Sequence, residues 1–309
     1  MASDTRLIVL AGATGNLGGR IAAEMRDRNV QVRSLVRPES SREAIDELRE
    51  IQVDIAAVDF NDEASLAKAC TGASCVVSAL AGLREVVVDA QTQLLNAAVK
   101  AGVPRFIPSD FSIDFTKLKP GANRNLDLRR EFMERLDMAP IRATTIFNGA
   151  FTDMLTGQAP IVLSRFKRIL HWGDADQLLD FTSIGDTASF TAAASLDDSA
   201  PRFLRISGDE ISAREIAEAA TDAGGGKQFR TFRAGGLWML DLMIPIARTL
   251  FPGKGELYPP WQGMQYLRNM YSGRGKLKPL DNDRYGKRKW TTAEDVLRRH
   301  WMNEKKVDD

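Results

Sequence analysis

Three glycines near the start of the chain, Gly12, Gly15 and Gly18, are spaced so that they could bind a phosphate group. They follow the apolar run 7–11 and precede a stretch with apolar residues at helical spacing. This order is typical of a buried strand that turns tightly into a helix. Glycines leave room for a pyrophosphate beside the amides of the helix N-terminus. The spacing therefore favours dinucleotide binding, and the alternative is a turn that merely tolerates glycine.

Arg37 stands where the adenosine ribose of such a dinucleotide would lie. The alternating residues 31–36 predict a second strand, which ends at Arg37 and Pro38. In this kind of fold the loop after the second strand contacts the ribose. There an acid accepts a hydrogen bond from the 2′-hydroxyl, whereas an arginine pairs with a 2′-phosphate. Arg37 therefore points to NADP rather than NAD, and the alternative is a solvated surface arginine.

The elements that position these residues alternate along the chain. Strands are predicted at 7–11, 31–36, 51–58, 74–79 and 103–107, and helices after the first four of them, the fourth helix spanning 85–101. Such alternation predicts an open parallel sheet with its ligand at the carboxyl ends of the strands. The predicted fold class is therefore α/β, a Rossmann-type doubly wound parallel sheet with a smaller, mostly helical C-terminal substrate domain.

The domain boundaries follow from where this alternation loosens. We predict an NADP-binding Rossmann domain over residues 1–152, rejoined by about 176–208, with a strand at 203–206 returning to the sheet. A smaller substrate-binding domain then takes residues 153–175 and 209–309. From residue 237 on, the chain is dense in aromatic and methionine residues among prolines and glycines. This segment could form the wall of an apolar pocket or the ordinary core of a small domain.

Composition excludes several classes of partner. The 309 residues carry 42 basic and 41 acidic side chains, so no net field favours nucleic acid or an anionic membrane. The longest apolar tract, 237–251, is interrupted by charges and a proline, and the first six residues contain no signal segment. Cys70 and Cys75 fit neither a disulfide framework nor a zinc site, and two histidines form no metal cluster. We expect a cytoplasmic protein with buried thiols and no metal.

Four stretches together resemble the NmrA-like group of atypical short-chain dehydrogenases. They are residues 12–18 (GATGNLG), 105–111 (RFIPSDF), 128–130 (LRR) and 148–151 (NGAF). That group includes the isoflavone and phenylcoumaran benzylic ether reductases as well as nitrogen-regulation and redox-sensing proteins. The resemblance covers about the first 220 residues, and RFIPSDF is far more selective than the glycines.

The resemblance implies an NADPH site with a defined set of residues. Those that would hold the cofactor are Gly12, Thr14, Gly15, Asn16, Leu17, Gly18 and Arg37, with Ser109 and Phe151 along the nicotinamide end. The reductases of the group carry a lysine three residues before the hydrophobic-Arg-Arg triplet, and an ungapped count from Leu128 places Asn125 there. Asparagine can hydrogen-bond a substrate but cannot give up a proton.

The sequence names no general acid. The Tyr-x-x-x-Lys pair of ordinary short-chain dehydrogenases is missing, since all four tyrosines lie at residue 258 or later. The titratable candidates, each more readily explained as a solvated or structural residue, are Asp110, Asp114, Lys117, Lys119 and His171.

Two hypotheses from different classes follow. The first is an NADPH-dependent oxidoreductase that reduces a small apolar or aromatic carbonyl, quinone or conjugated compound by hydride transfer. The second is a non-catalytic NADP(H)-binding regulator or redox sensor. Asn125 in place of lysine favours the regulator, and the aromatic tail favours the enzyme. We expect a small-molecule substrate, no nucleic acid or membrane partner, and a monomer or homodimer.

Overall fold

The chain divides into two compact units. A computed structural model describes residues 6–157 and 159–308, so the predicted absence of a signal segment at residues 1–5 lies outside the described residues. The first unit contains the described residues up to 111, together with 128–146 and 187–204. The second contains residues 112–127, 147–157, 159–186 and 205–308. The prediction made the second domain the smaller one and gave residues 112–127 to the first. The two units are instead similar in length, and residues 112–127 belong to the second.

A six-stranded parallel sheet forms the centre of the first unit. Its strands are β1 (Leu7–Ala11), β2 (Gln31–Val36), β3 (Asp54–Ala57), β4 (Ala73–Ser78), β5 (Arg105–Ile107) and β6 (Arg142–Ala143). The spatial order is β3-β2-β1-β4-β5-β6, and all pairings are parallel. This is the strand order of dinucleotide-binding Rossmann sheets. The predicted fold class is therefore confirmed, although β3 is shorter than the predicted strand 51–58.

Helices connect these strands and begin where the sequence provides caps. They are α1 (Asn16–Asp27), α2 (Arg42–Glu50), α3 (Glu63–Cys70), α4 (Gln91–Lys100), α5 (Arg124–Met138) and α6 (Ile184–Leu196), of which α5 and α6 each contribute residues to both units. The Asp62 carboxylate accepts hydrogen bonds from the amides of Ala64 and Ser65, as its position before α3 predicts.

The core of the first unit lies between the sheet and its helices. Val9, Val76 and Phe106 of the strands are fully buried against Leu94 of α4 and Phe132 of α5. The rings of Phe106 and Phe132 lie 6.1 Å apart between centroids. Burial of large apolar side chains on this scale contributes about 1.5 to 3 kcal/mol each. The same core fixes the strands whose carboxyl ends carry the predicted cofactor residues.

The predicted helix 85–101 is interrupted by a change of helical type. Residues Glu85–Ala90 form a π-helical segment, and regular α-helix begins at Gln91. A π-helical turn widens the helix, so residues after it point in different directions from those that a continuous α-helix would give. This segment therefore determines where the Gln91 side chain points.

The second unit contains two small sheets. The first has the order β13-β11-β8, made of β8 (Ala150–Phe151), β11 (Leu179–Thr182) and β13 (Asp209–Ile211). The second has the order β14-β10-β9, made of β9 (Val162–Leu163), β10 (Arg168–Trp172) and β14 (Arg230–Gly235). A separate two-stranded sheet pairs β7 (Thr145–Phe147) with β12 (Phe203–Arg205). The expected return of strand 203–206 to the main sheet is thus wrong, because β12 pairs with β7 instead.

Helices make up the regular structure of the C-terminal part. They are α7 (Ala213–Ala223), α8 (Leu237–Leu250), α9 (Pro260–Tyr271) and α10 (Ala293–Asp308). A capping box is present at α7, where Ser212 and Glu215 each accept a hydrogen bond from the other's backbone amide, as the Ser-x-x-Glu spacing allows. The mostly helical C-terminal region is confirmed. Among the described residues, no helix has both the length and the hydropathy that a membrane crossing requires.

Candidate functional site

Two of the three glycines are required by the fold of the turn itself. Gly12 has φ +87°, and a Cβ there would lie 2.6 Å from the carbonyl oxygen of Ala79. A Cβ on Gly18 would lie 2.1 Å from the carbonyl oxygen of Gly12. Both distances are far below van der Waals contact. Gly12 and Gly18 therefore let α1 pack against the turn and the turn against the end of β4.

Gly15 is different, because no packing contact among the described residues requires a glycine there. Its φ is −93°, which any residue can adopt, and a Cβ would approach only the Gly12 carbonyl oxygen, at 3.4 Å. The neighbouring residues Thr14 and Asn16 are exposed, as is Gly15 itself. A side chain at Gly15 would occupy space outside the turn. That is the space that a pyrophosphate would fill in a dinucleotide-binding turn.

The N-terminus of α1 is open to an anion. Gly15 is the N-cap residue and offers no side chain to the first amides, and the first turn holds no acidic residue. The first amides of a helix have no acceptor within the helix and carry partial positive charge. The amides of Asn16, Leu17 and Gly18 belong to this first turn. The arrangement fits a phosphate group bound at the helix N-terminus.

Arg37 follows β2, at the same edge of the sheet as the glycine turn. Carboxyl ends of adjacent parallel strands meet at one edge, and β1 and β2 are adjacent. The guanidinium is exposed and lies 3.5 Å from the Glu39 carboxylate. The Arg37 amide donates to the Ser40 hydroxyl oxygen at 3.1 Å, which shapes the loop. Arg37 is thus available to a 2′-phosphate, although Glu39 competes for it.

Ser109 lies beyond the end of β5 and is held by two hydrogen bonds. Its hydroxyl donates to the carbonyl oxygen of Leu80 at 2.7 Å, and its amide donates to the Gln91 side-chain oxygen at 2.9 Å. The Gln91 side-chain nitrogen donates in turn to the carbonyl oxygen of Val87, inside the π-helical segment, at 2.8 Å. Ser109 and Gln91 are both buried. Gln91 is therefore the group that fixes the backbone at Ser109.

Sequence reasoning missed Gln91, although a signal for it was present. Gln91 shares a helix face with Leu94 and Ala98, both fully buried. A polar residue on an otherwise apolar face must find partners when it is buried. The periodicity of 91, 94 and 98 could therefore have singled out Gln91 as a residue with a specific hydrogen-bonding role.

Phe151 belongs to the second unit and lies in β8. It is half-buried, and its backbone pairs with Thr182 of β11. The preceding Gly149 has φ +70°, and a Cβ there would lie 2.3 Å from the Asp180 carbonyl oxygen. The glycine of the NGAF stretch is thus explained by close backbone packing. Asn125 is also in the second unit, whereas the other predicted cofactor residues are in the first.

The amide of Asn125 has protein partners at both ends. Its nitrogen donates to the carbonyl oxygen of Leu257 at 3.0 Å, and its oxygen accepts from the Arg124 guanidinium at 3.0 Å. The side chain is 2% exposed. Asn123 accepts from the amides of Asn125 and Leu126 and so caps the start of α5. These contacts give Asn125 a structural role at the N-terminus of α5 within the second unit.

The acidic candidates for proton transfer are buried in hydrogen bonds of their own. Asp110 is fully buried and accepts from the Thr145 hydroxyl at 2.9 Å. Burial raises the pKa of Asp110 to about 6, opposed by the nearby charge of Arg129. Asp114 is buried as well and accepts from the Arg205 guanidinium at 2.8 Å. Both carboxylates have a structural explanation.

Of the basic candidates, Lys117 has structural partners, whereas the buried Nδ1 of His171 has no hydrogen-bond partner among the described residues. Lys117 donates to the carbonyl oxygen of Lys276 at 2.7 Å and lies 3.6 Å from the Asp114 carboxylate. His171 is buried in β10, where burial and the charge of Arg233 lower the pKa of its imidazole. Lys119 is exposed.

Cysteine and metal chemistry find no support in the part of the chain that the structure describes. Cys70 and Cys75 are buried free thiols, and burial raises their pKa values to about 11 and about 12. Thiols with raised pKa values are poor nucleophiles. Within residues 6–157 and 159–308, histidine, cysteine and carboxylate side chains form no group of three that could hold a metal ion.

The strand order and the glycine turn define a protein of the Rossmann dinucleotide-binding class. The model of the NmrA-like family matches residues 4–246. The chain therefore belongs to the NmrA-like family.

Individual proteins resemble the chain in sequence or in fold. An isoflavone reductase homolog, IRL, from Zea mays is 28% identical over 208 residues, which are 64% of this chain and 66% of that protein, just under two thirds of its length. The structure of AtPrR2 with NADP+ and (+)pinoresinol has a TM-score of 0.81 at 20% identity, covering 97% of this chain and 100% of that one. An NADPH-dependent quinone oxidoreductase, QOR2, from Escherichia coli has a TM-score of 0.72 at 18% identity, covering 95% and 99%. At these identities the structures share the fold.

Proposed function

We propose that this protein is an NADPH-dependent oxidoreductase that reduces small apolar or aromatic acceptors, with quinones preferred over simple ketones. Membership of the NmrA-like family supports the proposal, as do relatives named as an isoflavone reductase homolog and an NADPH-dependent quinone oxidoreductase. The residues described above must then supply cofactor binding, orientation of the acceptor and exclusion of water.

The observation that carries the proposal is the contrast within the glycine turn. Gly12 and Gly18 are explained by backbone packing, whereas Gly15 leaves an open space beside uncapped helix amides. A ligand that must approach the backbone closely explains a glycine at that position. Pyrophosphate satisfies both the space and the positive end of the helix. The residues present therefore fit a dinucleotide.

Each cofactor residue then has a distinct task. The amides of Asn16, Leu17 and Gly18 bind the pyrophosphate, and Arg37 pairs with the 2′-phosphate. Ser109, fixed by Gln91, orients the nicotinamide end. The bound dinucleotide supplies a hydride to the acceptor.

The supply of protons favours quinones among the acceptors. Reduction of a ketone needs a proton as well as a hydride, and the candidates at residues 110, 114 and 117 are tied into structural contacts, while burial lowers the pKa of the His171 imidazole. A quinone gives a reduced anion that is stable without immediate protonation. An acceptor of this kind is compatible with a site whose candidate acids are engaged elsewhere.

The alternative function is that of an NADP(H)-binding regulator without turnover. The observation that favours it is the occupied amide of Asn125 at the position of the family lysine. A regulator would bind NADPH tightly and would not transfer its hydride to any acceptor. The two functions therefore share the cofactor site and differ only in turnover.

The experiment that tests the proposal uses Gly15→Val with Gly263→Val as the matched control. Both glycines have ordinary backbone angles and open space, but only Gly15 lies in the turn. Gly15→Val is expected to keep the wild-type melting temperature and to lose NADPH binding measured by calorimetry, whereas Gly263→Val keeps both. Wild-type affinity in Gly15→Val would show that the dinucleotide does not bind here.

A further inference from the structure

The sheet β14-β10-β9 gathers positive charge from two distant parts of the chain. Residues 161–173 and 224–235 contain six basic side chains and no acidic one, whereas the whole chain has 42 basic and 41 acidic residues. The pairing of β10 with β14 brings these two segments side by side. The near-neutral net charge, from which we expected no nucleic-acid partner, therefore conceals a local concentration of positive charge.

The register between β10 and β14 decides which side chains share one face of this sheet. Arg168 lies directly opposite Arg230, and Leu170 lies opposite Phe232, so these four side chains point to the same side. Ile169 points to the other side, where it is fully buried and where α7 packs against both strands. The face that carries the two arginines is thus turned away from α7.

The turn before β10 adds to this face. The backbone amide of Arg230 donates to the carbonyl oxygen of Lys167 at 3.1 Å, which fixes the turn beside the start of β14. Phe166 in the turn is 67% exposed. Arg233 pairs with the buried His171 and so belongs to the other side of the sheet. We call the remaining cations and the two exposed aromatic residues the basic face: Arg165, Lys167, Arg168, Lys227 and Arg230, with Phe166 and Phe232.

The cations of the basic face have no acidic partner in the fold. None of the five forms an ion pair within residues 6–157 and 159–308. The Arg168 guanidinium donates to the carbonyl oxygen of Lys167 at 3.2 Å, and the Arg230 guanidinium donates to the Gln228 side-chain oxygen at 3.1 Å. A guanidinium has five N–H donors, so each arginine keeps donors for a ligand.

The opposition of Arg168 and Arg230 costs the fold stability. Like charges directly opposite each other on one face of a sheet are destabilising. Charged side chains can protect the edge of a sheet from pairing with other chains, but Arg168 is on β10, the central strand of the three. Edge protection therefore does not account for this pair, whereas a bound anion between the two guanidinium groups does.

We propose that the basic face binds single-stranded nucleic acid. A positively charged surface with exposed aromatic rings suits a single strand, because the cations pair with phosphates and every base has a face that can stack on a ring. Phe232 is 53% exposed and lies on the same face as both paired arginines. Arg168 and Arg230 contact the phosphates, and a base stacks on Phe232. Any single strand, RNA or DNA, supplies these two groups.

The position of Phe232 favours a single strand over other polyanions. The bases of a duplex are stacked on one another, so their faces cannot reach a protein ring, whereas those of a single strand can. A lipid surface takes up apolar side chains that extend beyond the cations around them. Phe232 is shorter than the arginines beside it on the same flat face. A base can lie down on such a ring while its phosphates meet the longer side chains.

Fluorescence anisotropy of labelled oligonucleotides tests the proposal on the full chain. Uridine and thymidine oligonucleotides of about 20 nucleotides should bind at least about tenfold more tightly than a duplex of the same length. Five phosphate contacts predict a slope of about −3.5 for the logarithm of the association constant against the logarithm of the salt concentration, since each contributes about −0.7 on a single strand. Comparison of the two oligonucleotides shows whether RNA or DNA is preferred.

Phe232→Ala separates stacking from charge. The substitution should weaken binding of the uridine oligonucleotide at least about fivefold, through the loss of one stacked base, and leave the salt slope unchanged. The matched control is Phe251→Ala, which removes a ring that is 60% exposed just after α8, outside the basic face. The control should bind as the wild type does.

Arg230→Glu tests the contribution of charge. The substitution should weaken binding at least about tenfold and make the salt slope less steep by about 0.7. Its melting temperature should equal or exceed that of the wild type, because the opposition to Arg168 is removed. The matched control Arg274→Glu makes the same change of charge at an exposed residue outside the basic face and should change the affinity less than about threefold.

Three results would overturn the proposal. The first is no binding of either oligonucleotide at about 50 mM salt, including the case in which phosphatidylserine vesicles bind instead. The second is equal affinity for single strand and duplex. The third is wild-type affinity in Phe232→Ala or Arg230→Glu. Gly15→Val should bind the oligonucleotides as the wild type does, so this proposal and the proposed function can fail separately.

Discussion

The expected preference for NADPH over NADH depends on Arg37, which would pair with the 2′-phosphate. Its exposed guanidinium follows β2 and has only the exposed Glu39 carboxylate, 3.5 Å away, as an ion-pair partner within the described residues. Arg37→Ala should therefore weaken NADPH binding by roughly 1 to 3 kcal/mol and leave NADH binding nearly unchanged. Calorimetric titration with both dinucleotides measures the difference.

Glu39→Gln is the matched control for this prediction. It removes the competing carboxylate and should keep or increase the preference for NADPH, because Arg37 then faces the 2′-phosphate alone. Equal affinities of the wild type for NADPH and NADH would contradict the assignment of Arg37.

Asp110 should make stability depend on pH in an unusual direction. Burial raises its pKa from 3.8 to about 6, so the folded state holds the proton more tightly than the unfolded chain does. The stabilisation is fully present below pH 3.8 and is lost as pH rises through about 6. The free energy of unfolding should fall by about 2 to 3 kcal/mol across this window on account of Asp110.

Urea unfolding near the two ends of this window measures the effect. Asp110→Asn keeps an oxygen that can accept from the Thr145 hydroxyl but cannot ionise, so its stability should depend less on pH than that of the wild type. The control Asp46→Asn alters an exposed carboxylate and should follow the wild type. Identical pH profiles for wild type and Asp110→Asn would refute the prediction.

Residue identity predicts a role only where the role is local. Gly12, Gly15 and Gly18 are recognisable because the turn and its helix are neighbours in sequence. The occupied amide of Asn125 was not predictable, since its acceptor on Leu257 is more than 130 residues away. The count along the sequence placed Asn125 at the position of the family lysine but gave no information about what it meets there.

At the scale of elements, the positions of the caps and the first strands were predictable and the π-helical segment was not. The side chain of Asp62 and the Ser212–Glu215 pair satisfy amides within three residues, so their sequence pattern is sufficient. The run of valines at 86–88 is compatible with either helical type. Periodicity over six residues does not separate a π-helix from an α-helix.

Gln91 should affect both stability and the cofactor site. Gln91→Leu leaves the amide of Ser109 without its acceptor and the Val87 carbonyl without its donor. We expect a loss of about 1 to 3 kcal/mol of stability for the unpaired buried amide. We also expect weaker NADPH binding, because the backbone at Ser109 is no longer fixed. Urea unfolding and calorimetry measure the two effects.

Thr92→Val provides the comparison for Gln91→Leu. It removes the Thr92 hydroxyl, which donates to the Val88 carbonyl oxygen and accepts from the Arg135 guanidinium, without touching Ser109. Thr92→Val should lose some stability but retain wild-type NADPH affinity. If the two variants have equal NADPH affinity, Gln91 has no positioning role.

The C-terminal elements show why proline misleads a sequence-based prediction. The segment from residue 237 has prolines among its apolar residues, yet it contains α8 and α9. Pro260 is the first residue of α9, where a missing amide costs nothing. Pro245 lies inside α8, whose packing against α9 compensates for the lost hydrogen bond. Tertiary contacts of this kind are not visible in the local pattern.

At the scale of the molecule, the acceptor preference separates the two candidate functions. Consumption of NADPH should be faster with a quinone such as menadione than with simple ketones or benzylic ethers, because the candidate acids are held in structural contacts. Asn125→Ala should lower stability and reduce turnover of all acceptors to a similar extent. Absorbance of NADPH across an acceptor panel measures the rates.

Two outcomes would change the assignment. Turnover of a ketone or ether without any quinone activity would mean that another residue fills the place of the acid that Asn125 cannot supply. Tight NADPH binding with no turnover of any acceptor would favour the regulator.

The parallel sheet and the fold class could be predicted at the scale of the molecule because strands and helices alternate locally. The composition of the two units could not, since it depends on pairing between distant segments. Residues 112–127 contribute to the second unit, and β12 pairs with β7 across more than 50 residues. No period or motif in the sequence specifies such contacts.

The interleaved path of the chain has a consequence during synthesis on the ribosome. The first unit needs residues 187–204, where the carbonyl oxygens of Ala194 and Ser195 accept from the guanidinium of Arg105. Arg105 is 2% exposed in the finished protein. A nascent chain that ends before α6 leaves this cation without those two acceptors. Release of the first unit from the ribosome and its associated chaperones therefore has to wait until about two thirds of the chain has emerged.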